Sequence, residues 1–197
     1  MLTISESLFL GHLNPGESLR WSLCSTRDYV KEIPLTDVLD VLGLEVALKC
    51  LSSSHENMHD IHKQCLIQYG LDCLSFIKPF LSRDMVNLRI AAEKYYHCSK
   101  DPELLSEAMR KVDPYSGPWT LGGAEDPISS VVLKAAKGTW EVVPSEILDI
   151  LSHGSAPDVF FWINRKGKRR RAEEYRREAL RLMKSWLRNI LGRSYDN

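Results

Sequence analysis

An all-α fold is what this sequence predicts, and three observations predict it. Apolar residues recur at three- and four-residue steps, most regularly in 58–77 and 175–190. No segment sustains the strict alternation of a half-buried strand, and only 142–143 and 7–10 leave room for a short one. Cap residues, prolines and glycines divide the chain into helix-sized pieces. The expected architecture is roughly seven to nine helices, with those of 35–112 stacked as antiparallel pairs. A long, amphipathic, basic C-terminal helix follows them. Three regions are expected: a helical stack over 1–112, an ordered Pro/Gly-rich loop over 113–127, and C-terminal helices over 128–197 that pack on the first unit.

In order along the chain, Ser18 opens a short helix lined by Leu19, Trp21, Leu23, Cys24 and Tyr29. Thr36 is an N-cap candidate, Asp37 suits the positive end of a helix, and Val38, Leu39 and Leu42 form the apolar face. Gly43 interrupts, and Leu44–Leu51 reads as a separate helix. Met58, Ile61, Cys65, Tyr69, Cys73 and Ile77 form the clearest stripe of the front half, ended by Pro79. Ser82 caps the next helix, which turns Met85, Leu88, Ala92 and Tyr95 inward. Asp101-Pro102, a cap and a first-turn proline, opens a helix through Leu104, Leu105, Ala108 and Val112, closed by Pro114. Trp119 argues that the following loop is ordered, because a ring of that size is usually packed. Short helices are expected at 128–137, 144–151 and 157–163. The last helix carries Tyr175, Ala179, Leu182, Met183, Trp186, Leu187 and Ile190 as its stripe, and Gly192 stops it.

Composition narrows the class. The chain has 197 residues, 44% hydrophobic and 26% charged, enough for one substantial core or two small ones. No uncharged apolar run approaches the roughly 18 residues that span a bilayer, so no membrane partner is expected. An acid at Glu6, where a signal peptide carries basic groups, points away from secretion and towards the cytoplasm. Cys24, Cys50, Cys65, Cys73 and Cys98 are an odd set without a Cys-x-x-Cys pair, which favours reduced thiols buried in a core.

His55, His59, His62 and Cys65 stand at spacings of four, three and three, near one helical face. Imidazole and thiolate favour zinc, but structural zinc sites usually draw paired ligands from two elements, so these are weak metal candidates and no cofactor is expected. There is no nucleophile elbow and no phosphate-cradling glycine loop. Leu121-Gly-Gly-Ala-Glu is too short for one and runs into Asp126-Pro127. Catalytic residues are therefore not assigned, and an enzyme is not expected.

Charge is the sharpest feature. Net charge is zero, yet 165–193 carries twelve Lys/Arg against three acids, a net +9, while 1–164 is −8. The centre of this asymmetry is Arg165-Lys-Gly-Lys-Arg-Arg-Arg171. Packed cations repel one another, so the run calls for an anionic counterpart: an acidic protein, nucleic acid, or the chain's own acidic body. Candidate partner-binding residues are Arg165, Lys166, Lys168, Arg169, Arg170, Arg171, Arg176 and Arg177. Trp119, Phe161 and Trp162 are candidate aromatic anchors, with a place in the core as the competing reading.

Residues 33–112 resemble a family of small helical proteins of bacteria and their phages, some of which are described as immunity proteins of toxin systems. The resemblance lies in Leu35-Thr-Asp-Val-Leu-Asp-Val-Leu-Gly-Leu-Glu-Val-Ala-Leu-Lys-Cys-Leu51, in 61–74, in 80–95 with Asp84 and Ala92-Glu93, and in 103–108. It covers about two-fifths of the chain. The His-rich stretch at 55–62 replaces the family's charged helix start, and 113–197 lies outside the resemblance. It implies a helical stack that binds or inhibits another protein, and it transfers no catalytic residue. The function expected is a non-catalytic inhibitor or immunity-type factor, bacterial or phage-encoded, with counter-defence among its roles. Its alternative is a nucleic-acid-associated protein that uses 165–181 as a phosphate clamp.

Overall fold

The computed structural model describes residues 2–24, 32–54, 58, 60–99, 101–112, 126–153 and 169–192, with the backbone alone at 54, 99, 152–153 and 169–172. The fold is all-α. Among the described residues the helices are α1 (Glu6–His12), α2 (Pro15–Cys24), α3 (Leu35–Val41), α4 (Leu44–Ser54), α5 (Asp60–Cys73), α6 (Arg83–Lys94), α7 (Pro102–Lys111), α8 (Pro127–Ala136), α9 (Val143–His153) and α10 (Arg169–Gly192). A 3-10 segment, Leu74–Phe80, follows α5, and a π-helical turn, Tyr95–Ser99, follows α6. The chain is therefore cut into more pieces than expected. It forms two compact units: residues 1–63 with 184–197, and residues 64–183. The residue-112 boundary drawn from the sequence lies inside the second of these, and α10 contributes to both.

In the first unit, β1 (Thr3–Ser5) pairs antiparallel with β2 (Glu32–Pro34) in the register Thr3↔Pro34, Ile4↔Ile33, Ser5↔Glu32. The register turns Ile4 and Ile33 into the core, and the Thr3 hydroxyl donates to Glu32 Oε2 at 2.9 Å on the outside. This corrects the sequence reading of where strands could occur. Ser7–Leu10 lies in α1, and Val143 opens α9. The actual strands are three residues each and pair across some thirty positions, a non-local pattern that local alternation does not reveal.

Ser18 does not begin a helix. Asn14 and Glu17 form a capping box one turn earlier: Glu17 N–H donates to Asn14 Oδ1 and Asn14 N–H to Glu17 Oε2, both at 2.9 Å, with Pro15 in the first turn. Nor is Thr36 an N-cap. Pro34 holds that position, α3 starts at Leu35, and Thr36 is buried in its first turn. Gly43 does separate α3 from α4, at φ +96°, a conformation that costs other residues about 1–2 kcal/mol. Phe9 and Trp21 meet edge-to-face at 4.7 Å and pack with the buried faces of α3 and α4. The end of α10 completes this unit with buried Leu187 and Leu191, and Leu191 O accepts from Leu2 N–H at 3.2 Å.

The second unit is organised by α6, which packs against both α7 and α8. Ser82 caps α6 by accepting from Met85 N–H at 3.3 Å, and Met85, Leu88 and Ala92 are buried as expected. Asp101 caps α7 through the N–H groups of Glu103 and Leu104. Asp126, at the end of the Pro/Gly-rich stretch, is a fully buried N-cap of α8. It accepts from the N–H groups of Ile128 (3.2 Å) and Ser129 (3.4 Å) and from the Ser129 hydroxyl at 2.5 Å. Trp140, 1% exposed, lies against Gly70 of α5. Of the expected stripe, Met58, Tyr69, Cys73 and Ile77 are buried and Cys65 is half-buried; Ile61 is 45% exposed, and Leu66 and Leu71 join the core beside them. The α-helix ends at Cys73 and continues as 3-10 through Pro79.

Candidate functional site

Helix α10 is the element that carries the charge singled out in the sequence. Its first turn, Arg169–Arg171, contains no acid. Three arginines therefore sit where the helix dipole already leaves partial positive charge, an arrangement that an external anion relieves. From Glu173 to Glu178 every side chain is exposed, and burial begins only at Ala179, followed by Met183, Leu187 and Leu191. That burial matches the central part of the expected stripe. Tyr175, its first member, is 42% exposed and holds the core by its hydroxyl, which donates to Phe76 O at 3.0 Å. Its ring meets Phe76 edge-on at 6.5 Å.

Three arginines of α10 have partners on the same chain. Arg177 pairs with Glu173 at 3.4 Å, Arg181 grips Glu178 through two nitrogens at 2.8 and 2.6 Å, and Arg188 bonds Asp40 of α3. The Arg181 hydrogen bonds hold the Glu178 carboxyl below the usual carboxylate range. All three pairs are solvent-exposed, so each contributes little to stability. They trim the positive field, however: residues 173–178 carry three glutamates against two arginines. Arg176 is exposed beside them.

Of the other candidate residues, Arg165, Lys166, Lys168, Trp119, Phe161 and Trp162 lie outside the described residues, as do His55 and His59. His62 and Cys65 are both half-buried on α5. Among the described residues no three His, Cys, Asp or Glu side chains stand close enough to hold a metal ion. None of the five cysteines forms a disulfide. Only Cys50 and Cys73 are buried, while Cys24 and Cys98 are exposed, which corrects the expectation of a fully buried set. Burial pushes the Cys50 thiol from 9.0 up to about 11 and raises Cys73 further, so both are poor nucleophiles.

Two surface features escaped the sequence reading. Leu8, Leu10, Leu19 and Leu23 of α1 and α2 are 41%, 50%, 61% and 75% exposed; only Trp21 of the supposed Leu19–Cys24 face is buried. The second is a polar chain on the other unit. His97 Nε2 and Gln68 Oε1 are 2.7 Å apart, and Gln68 Nε2 donates to Asp72 Oδ1 at 2.8 Å. Arg89 then bridges Asp72 (3.8 Å) and Glu93 (2.9 Å). Because the Gln68 amide nitrogen is committed to Asp72, its oxygen accepts and His97 Nε2 carries the proton. The chain ties α5 to α6 and brings no nucleophile to the histidine. No family model matches this chain, and no curated protein or solved structure matches it either.

Proposed function

We propose that this chain is a non-catalytic binding protein, an inhibitor or immunity-type factor of bacterial or phage origin. It acts in the cytoplasm and occludes a protein partner through the basic start of α10, a role that includes counter-defence. The observation that carries the reading is the helix itself. Its C-terminal half is fixed by a buried stripe, while all of 173–178 faces solvent next to a run of arginines. A helical stretch whose core contact runs through Tyr175 leaves most of its side chains turned to solvent, where they offer a face to a partner. Arg176 and Arg177 stand on that stretch after the Arg169–Arg171 turn, and arginine is enriched at protein interfaces. The described acids and hydroxyls serve mainly caps and helix-surface pairs, which supports binding over catalysis.

Phosphate binding by 165–181 is the second reading, favoured by the acid-free first turn of α10. The glutamates at 173, 174 and 178 count against it, because they stand within the proposed clamp. A pull-down from bacterial lysate with the full chain, repeated with Arg169→Glu, Arg170→Glu and Arg171→Glu together, tests the first reading. Glutamate near a helix start favours the helix, so a bound protein lost on reversal marks the interface and not a melted helix. Retention of the same protein by the triple variant overturns the reading. Gel-shift on generic DNA or RNA that weakens steeply with salt, with no protein captured, moves the assignment to the phosphate clamp.

A further inference from the structure

Tyr175 joins the exposed end of α10 to the core, and its partner is an unusual acceptor. Phe76 lies in the 3-10 segment Leu74–Phe80, where a carbonyl ordinarily accepts from the N–H three residues on. Three residues on is Pro79, which has no N–H. The Tyr175 hydroxyl, arriving from 99 residues away, donates to that carbonyl at 3.0 Å, and the two rings touch edge-on. The contact lies one helical turn before Ala179, where the buried stripe begins, and within a stretch whose side chains are otherwise turned to solvent. Arg177, two residues on and so about 200° further round, points to the opposite side of the helix.

We infer that Tyr175 is a positioning residue: its hydroxyl latches the start of α10 onto the Phe76 carbonyl, so that Arg176 and Arg177 meet an acidic protein surface from a helix already in place. This rests on the reading of α10 as the binding element. Without the latch the first turns fray, as helix ends do, and binding has to order them first. With it, the ordering is done before the partner arrives.

Tyr175→Phe keeps the ring and removes only the donor. In the full chain, amide exchange over 173–178 is then expected to quicken roughly two- to ten-fold, the range for one lost hydrogen bond, with the Leu88 and Val131 amides unchanged. A poly-glutamate peptide at low salt serves as the acidic probe. Its affinity for Tyr175→Phe should fall by a similar factor while its salt slope stays that of the wild type, since the same cations are engaged. Exchange over 173–178 equal to wild type, or quickened equally at Leu88 and Val131, overturns the latch. Faster exchange at 173–178 with undiminished probe affinity overturns the positioning role, leaving a bond that holds α10 without serving a partner. The double variant Arg176→Glu/Arg177→Glu isolates the underlying reading. If it binds poly-glutamate as the wild type does, the basic face is not the binding surface; faster exchange in Tyr175→Phe would then establish a latch that serves α10 alone.

Discussion

At the scale of single residues, two glycines are held by opposing effects whose magnitudes decide the outcome of replacing them. Gly138 turns the chain after α8 at φ +79°, and a Cβ there would lie 2.7 Å from the Tyr96 hydroxyl oxygen. That hydroxyl donates to Ala136 O at 3.2 Å, so the two faults compound. Gly138→Ala is expected to cost about 2–3 kcal/mol, read as a lower urea midpoint at unchanged slope. Gly70 is the subtler case. Inside a helix, glycine to alanine ordinarily gains about 1 kcal/mol. Here the new Cβ meets Trp140 Cβ at 3.0 Å and its backbone Cα at 3.1 Å, and a backbone atom cannot rotate aside. Overpacking costs about 1–3 kcal/mol, so Gly70→Ala should destabilise by roughly 1 kcal/mol net. A midpoint above wild type would show that Trp140 yields.

The thiols belong to the same scale. Cys50, at about 11 in the folded chain against 9.0 ordinarily, stays neutral while the unfolded thiol ionises. A raised acid pKa stabilises below the unfolded value and is lost as pH climbs through the folded one, so stability should decline from pH 9 towards 11. Two pKa units correspond to on the order of 2 kcal/mol. Burial raises Tyr69 and Cys73 in the same direction. Urea midpoints taken at pH 8, 9.5 and 10.5 test this; a flat profile contradicts it. A thiol reagent at pH 8 should modify the exposed Cys24 and Cys98 quickly, and Cys50 and Cys73 only after unfolding.

At the scale of elements, caps explain both what the sequence disclosed and what it hid. Ser82 and Asp101-Pro102 are legible because the cap, its acceptor geometry and the first-turn proline are all local chemistry. Asp126-Pro127 obeys the same rule, yet it sits at the end of a Pro/Gly-rich stretch whose composition hides a helix start. Asn14–Glu17 was masked by Ser18, an equally good cap residue one turn later. Leu19 and Leu23 illustrate the other limit. Their spacing reads as a core stripe, but which face of a short helix finds neighbours is settled by the rest of the fold. The basic run, by contrast, is plain in composition alone, while Tyr175 gave no sign that its hydroxyl would be its working part. Asp126→Ala tests the cap in its buried setting. Surface caps are worth about 1 kcal/mol. Asp126 is fully buried and its removal strands the Ser129 hydroxyl as well, so the loss should reach about 2–3 kcal/mol. Ser82→Ala, more exposed and with a single 3.3 Å bond, should cost less than half as much in the same urea series.

At the scale of the molecule, the first unit is built from both ends of the chain. Residues 1–63 supply β1, β2 and the helices from α1 to α4, and 184–197 supply the last turns of α10. Leu187 and Leu191 are buried there, Leu191 O accepts from Leu2 N–H, Leu2 O accepts from Leu35 N–H, and Arg188 bonds Asp40. The C-terminal segment is thereby a structural member of the N-terminal unit, and the charge pairing foreseen between basic end and acidic body takes place in part at Asp40. The exposed Arg188 pair adds little energy; the leucines carry the weight, because a buried leucine cut to alanine costs about 2–5 kcal/mol through lost transfer energy and the cavity left behind. Leu191→Ala in the full chain should therefore loosen this unit selectively. Native-state hydrogen exchange provides the readout: the amides of Phe9, Leu39 and Ala47 should lose protection by a few kcal/mol, while those of Leu88, Val131 and Ile147 in residues 64–183 keep theirs. Because α10 runs from one unit into the other, equal loss at both sets of amides is the informative alternative. It would mean that the helix transmits the defect and that the chain unfolds as one cooperative body, in which case a partner bound at the arginine end would stabilise Phe9 and Leu39 as strongly as it stabilises Leu88.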